Sequence, residues 1–113
     1  MVGYWKYRND TMAMLHTVNK SPFQSTTMMS CLNHAVEGDA VLMIEDGVLG
    51  ALKGSKVAGT ISGLTGQLRF YALGPDLAAR GIDQSRVIEG ITVVDYAGFV
   101  DLVTNHKGTN AWL

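Results

Sequence analysis

Apolar positions in this chain fall into short runs separated by stretches with helical spacing. Leu15 to Val18 predicts a short strand. The turn Asn19-Lys20-Ser21-Pro22 follows, since proline fixes φ and asparagine tolerates unusual backbone angles. Ser25 to Glu37 reads as a helix that Ser25 or Thr26 can cap and that Gly38-Asp39 ends. Ala40 to Ile44 is a continuous apolar run, the pattern of a strand covered on both faces, and Glu45-Asp46-Gly47 closes it. Val48 to Lys53 predicts a helical turn or two. Gly54 to Gly66 holds four glycines with Val57 and Ile61 and is read as irregular.

Leu68 to Leu73 predicts a third strand. Gly74-Pro75-Asp76 opens a short helix to Arg80, with proline in the first turn and Gly81 closing it. Val87-Ile88 is a brief strand, and Ile91 to Val94 is another of the buried type. Asp95 caps a last helix from about Tyr96 to His106. There Tyr96, Phe99, Val100 and Val103 follow i, i+3, i+4, i+7 spacing and predict one apolar face. The tail ends in Ala111-Trp112-Leu113.

Strands that alternate with helices imply βαβ units. The expected fold is a single α/β domain with a mostly parallel, four- to five-stranded sheet and helices on both faces. The domain is expected over residues 14–113. Residues 1–13 have no clean period and are read as an extension, flexible or left by an upstream start codon, or as an aromatic arm through Tyr4, Trp5 and Tyr7.

Composition narrows the classes. Of the 113 residues, 47% are hydrophobic and 17% charged, so a core is affordable and disorder is not expected. Small soluble domains typically carry about a quarter charged residues. The deficit suggests that part of this surface is buried against other subunits. A net charge of −1 offers no field for direct nucleic-acid binding. The longest apolar run, Ala40 to Ile44, is too short for a bilayer, so no membrane partner is expected. A single cysteine and no export pattern point to the cytoplasm.

That cysteine, Cys31, is the candidate catalytic residue. One thiol makes neither an internal disulfide nor a zinc site, and CxxC chemistry is excluded. On a helical wheel Cys31 falls at the margin between Met28, Leu32, Ala35, Met29, Val36 and the polar arc. A marginal thiol suits exchange with a partner, and it equally suits inert filler. It lies roughly two turns into the helix, beyond much help from the dipole. His34 and Lys20 are the candidate activators, if the fold brings either near.

Ligands in open parallel sheets bind beyond the carboxyl ends of the strands. Asn19, Lys20, Ser21, Glu45, Asp46, Gly74, Asp76 and Asp95 stand there, with turn and cap duties as the alternative. Glu45-Asp46 lacks a third metal ligand, so neither metal nor cofactor is expected. His16 is expected to be a satisfied interior histidine. No phosphate loop, GxGxxG or GxSxG occurs.

Four segments in order, with the closing Ala111-Trp112, make a joint pattern: MLHTVNKSPF (14–23), EGDAVLMIEDG (37–47), LRFYALGPDLAARG (68–81) and VVDYAGFVDL (93–102). This pattern resembles the DsrH/TusB family of sulfur relay proteins across nearly all of residues 14–113. The resemblance implies the DsrE-like fold and a cytoplasmic heterohexamer holding two copies each of three related subunits. The implied partners are DsrE-like and DsrF-like chains and a small DsrC/TusE-like sulfur carrier. In the TusBCD branch, sulfur moves towards 2-thiolation of a tRNA wobble uridine. In the DsrEFH branch of sulfur oxidisers, it moves to the DsrC-like carrier.

The main sulfur-bearing cysteine of both branches belongs to the DsrE/TusD-type subunit. TusB-type chains generally lack a cysteine in the first helix, whereas DsrH-type chains can carry one. Cys31 therefore leans the expectation to DsrH, with a structural TusB-like subunit as the alternative and a flavodoxin-like binding domain as a third. Any enzymatic part is at most that of a sulfurtransferase subunit acting by thiol–persulfide exchange.

Overall fold

A computed structural model describes residues 10–113. Five parallel strands form one sheet in the order β4-β3-β2-β1-β5. They are β1 (Asp10–Val18), β2 (Ala40–Met43), β3 (Arg69–Leu73), β4 (Ile91–Val94) and β5 (His106–Trp112). The helices are α1 (Thr27–His34), α2 (Ala58–Leu64), α3 (Gly74–Ala79) and α4 (Tyr96–Asn105), with 3-10 segments at Glu45–Ala51 and Gln84–Arg86.

The two sheet faces are built unequally. One carries the main core, in which Val18, Val41, Met43, Phe70 and Ala72 pack with Met28, Cys31 and Leu32 of α1 and with Val48, Val57, Ile61 and Leu77. The other is a smaller cluster of Leu15, Ala40 and Leu42 beneath Phe99 and Leu102 of α4. All four residues of β2 are buried, as expected for a central parallel strand under cover on both sides.

Several elements depart from expectation. β1 begins at Asp10, not Leu15, because β5 supplies a partner from Asp10↔His106 to Val18↔Trp112. Residues 1–9, and with them the aromatic arm reading, lie outside the described residues. β5 was read only as a tail. Its sequence HKGTNAW carries little apolar signal because it is an edge strand held mainly by pairing to β1.

The region read as irregular contains α2. Val57, Ile61 and Leu64 lie on one helical face against the core, and that packing outweighs the poor helix propensity of Gly59 and Gly63. Val87 forms a single antiparallel bridge with Leu52 rather than a strand. α1 is shorter than Ser25 to Glu37. Its C-cap Ala35 turns extended, and the next amide, Val36 N–H, donates to the Asp39 carboxylate at 3.1 Å. At the other end Ser25 Oγ accepts the Thr27 amide, satisfying one open donor.

The expected apolar face of α4 is split: Phe99 turns to the sheet and the other three members point outward. Phe99 and Leu102 meet the sheet, while Tyr96, Val100 and Val103 are 60%, 64% and 43% exposed.

Candidate functional site

Cys31 is not marginal. α1 lies on the main-core face, and the thiol is fully buried beside Met28 and Leu32. Burial first, and the Asp39 carboxylate second, push the thiol up to about 12. Both effects disfavour the thiolate, the nucleophilic form. The proposed activators do not offset them. Lys20 is exposed, and the His34 ring meets Trp112 and His16 edge to face instead, at centroid distances of 5.4 and 6.1 Å.

The polar centre of this face is a buried chain of three side chains. His16 points from β1 into the core with 2% exposure. Its Nε2 lies 2.8 Å from Asp39 Oδ2, and Trp112 Nε1–H donates to its Nδ1 at 3.0 Å. An indole N–H only donates, so Nδ1 of the neutral ring presents its lone pair and the hydrogen sits on Nε2, aimed at Asp39. His16 is thus the satisfied interior histidine that its strand setting implied.

Asp39, just before β2, also accepts the amides of Met14 and Val36. Burial raises its pKa, but the hydrogen bonds from His16, Met14 and Val36 together outweigh burial and hold the carboxyl below its ordinary value. One carboxylate therefore ties β1, the end of α1 and the start of β2. Sequence reasoning treated Asp39 as a helix stop. The available signal was an acid immediately ahead of a wholly apolar strand, where a charge is tolerated only with partners.

The carboxyl-end candidates divide. Asp95 Oδ1 accepts Gly98 N–H at 2.8 Å and caps α4. Asp76 accepts the Glu45 amide at 2.6 Å, holding Glu45 at a φ of +50°. Asp46 takes Arg80 Nε and Nη2 at 3.0 and 2.9 Å, and Ser21 Oγ accepts the Phe23 amide. Asn19 is half-buried and Lys20 exposed. These residues hold turns and do not converge on Cys31. Among the described residues, no group of three or more His, Cys, Asp or Glu could hold a metal. A cleft of about 570 Å³ lies on the opposite, α4 face, lined in part by Tyr71, Gly74, Thr92, Asp95, Asp101 and Asn105. It does not reach the thiol's core. Among the described residues, no helix is long and apolar enough to cross a membrane.

A family model described as DsrH like protein matches residues 20–109. Protein TusB of Escherichia coli O157:H7 is 35% identical over 99 residues, covering 88% of this chain and all of that protein. Protein TusB of Shigella flexneri is 34% identical over the same shares. Two solved structures share the fold. The ychN protein of E. coli matches with a TM-score of 0.76 at 15% identity, covering 88% of this chain and 97% of its own. MTH1491 of Methanobacterium thermoautotrophicum, titled a protein of unknown function, matches with a TM-score of 0.70 at 23% identity, covering 90% and 99%. The fold is the DsrE-like α/β fold.

Proposed function

Because the chain belongs to the DsrH/TusB family of sulfur relay proteins, we propose that it serves as an assembly subunit of a cytoplasmic relay complex. The persulfide is carried on a partner's cysteine. The observation that supports this division of labour is the burial of Cys31 with its thiol pushed up to about 12.

In the relay step a thiolate attacks the outer sulfur of a persulfide. A new S–S bond forms, the old one breaks, and the donor leaves as a thiolate, with no net oxidation. A thiol that stays protonated and covered is a poor entrant to that exchange. The chain's part is then to hold TusC- and TusD-like subunits in a heterohexamer that passes sulfur to a TusE-like carrier, towards tRNA thiolation. The named TusB relatives favour this destination over sulfur oxidation.

A second reading is favoured by Cys31 itself, a cysteine in the first helix. On that reading the chain is a DsrH-type subunit with DsrE- and DsrF-like partners and a DsrC-like carrier, and Cys31 is a secondary sulfur station opened by assembly.

Native mass spectrometry of the complex from its own cells tests both. The expected result is a hexamer with this chain unmodified and reducible sulfur on a partner. A sulfur atom on this chain, lost on reduction and absent in Cys31→Ser, would replace the first reading with the second. A monomer or homodimer with no related chains would overturn both.

A further inference from the structure

α4 carries a stripe that its own domain does not use. Phe99 and Leu102 anchor the helix to the sheet, and Tyr96, Val100 and Val103, spaced i, i+4, i+7, face solvent. They account for three of the seven large apolar side chains exposed in the described residues. Three such residues on one ten-residue helix form a patch rather than scattered exposure. Phe99, Val100, Val103 and Thr104 line a shallow groove of about 310 Å³ along it. β5 beside it presents Lys107, Thr109 and Ala111, all exposed. Among the described residues, α4 is the one helix packed on this second face of the sheet, whereas parallel sheets are normally covered on both sides.

We propose that this surface binds a second copy of the same chain, with the two α4 helices antiparallel about a twofold axis between Val100 and Val103. The inference rests on the relay reading only in taking two copies of this chain per complex.

The distribution of charge is self-complementary in one direction, which fits a second copy of this chain laid antiparallel. The exposed acid Asp95 stands at the N-terminal end of the stripe, and the exposed base Lys107 stands just past its C-terminal end. Antiparallel pairing sets Val100 against Val103 of the second copy and brings Asp95 and the Tyr96 ring towards the second copy's Lys107. Those contacts are an ion pair and a cation–π contact, each made twice by symmetry. A parallel pairing would set acid beside acid and base beside base. Antiparallel helices also oppose their dipoles. The small side chains Thr109 and Ala111 leave room for the incoming helix.

Cross-linking in the assembled complex tests the proposal. The native thiol is buried, so a cysteine placed on α4 is the accessible one. Complexes are assembled from a mixture of Val100→Cys and Val103→Cys chains and oxidised with copper phenanthroline and oxygen. The expected product is a 100–103 disulfide between two copies of this chain, formed in greater yield than either variant gives alone. Val100→Glu, at a site that carries no folding load, is expected to keep the native circular dichroism and split the two-copy assembly into halves. Two results would overturn the proposal: an intact hexamer whose introduced thiols cross-link only to other subunits, and one whose thiols stay freely reactive to maleimide. Either would leave the relay reading standing. Loss of that reading would show instead as the absence of related subunits.

Discussion

Trp112 Nε1–H donates to Nδ1 of His16 across 96 residues of sequence, and the other ring nitrogen of His16 faces Asp39. The edge strand β5 is thereby bolted to the polar centre of the core by a directional bond. Trp112→Phe keeps an aromatic ring but removes the donor and part of the indole's bulk, stranding a buried acceptor. Its expected cost is about 1–3 kcal/mol in urea unfolding. A change below a few tenths would mean that the bond contributes nothing net.

Asp39 links acid sensitivity to this core. Its carboxyl is held below the ordinary 3.8, so its contribution is complete above that value and is lost as pH falls through the lowered one. Asp39→Asn is expected to be less stable at neutral pH and to lose less stability on acidification than the parent. Parallel acid limbs in pH-dependent chemical denaturation would contradict the assignment. The same variant removes the second cause of the Cys31 shift. The thiol should therefore titrate lower, yet still above 9.0, because burial is the larger cause.

In the folded chain, Cys31 should react slowly. A rise from 9.0 to about 12 reduces the thiolate fraction roughly a thousandfold at mildly alkaline pH. Iodoacetamide labelling of the native protein is expected to lag the urea-unfolded chain by at least that factor, with burial adding to it. Comparable rates would mean that the helix opens readily and would strengthen the case for a sulfur station.

Two glycines predict opposite outcomes. A Cβ at Gly47 would lie 2.0 Å from the Val18 carbonyl oxygen, where the turn after β2 crosses the end of β1. Gly47→Ala should cost more than about 3 kcal/mol, or prevent folding, as judged by soluble yield and thermal melting. Gly63 lies in α2 with open space at its Cβ position. Gly63→Ala should stabilise by about 0.5–1 kcal/mol.

The sequence was most legible where burial is two-sided. Ala40–Met43, buried along its whole length, is the strand its apolar run predicted. Ile91–Val94 is also a strand, but at the sheet edge and half-exposed rather than of the buried type expected, because only β3 flanks it. Asp95 as a cap and His16 as an interior histidine were also readable locally, because each is settled by its immediate neighbours. β5 was not, since its strand character comes from β1, distant in sequence, and not from HKGTNAW itself. α2 was hidden by Gly59 and Gly63, although Val57, Ile61 and Leu64 held the helical period. The α4 stripe was read as one apolar face, with no direction assigned to it. Periodicity finds an apolar face without saying which neighbour covers it, and Phe99 and Leu102 already serve the sheet. Cys31 showed the same limit, since a wheel position at the margin became core once β1 and the loop after β2 closed over α1.

The pairing of β1 with β5 also orders events during synthesis. A nascent chain that has emerged only as far as β4 carries β1 as an open edge, with the His16 nitrogen still lacking its donor. Parallel pairing at such long range is entropically late. The unfinished edge is a ready template for a neighbouring nascent chain, so a ribosome stalled before Trp112 would release a species prone to aggregation, and translation speed over the last strand would influence yield.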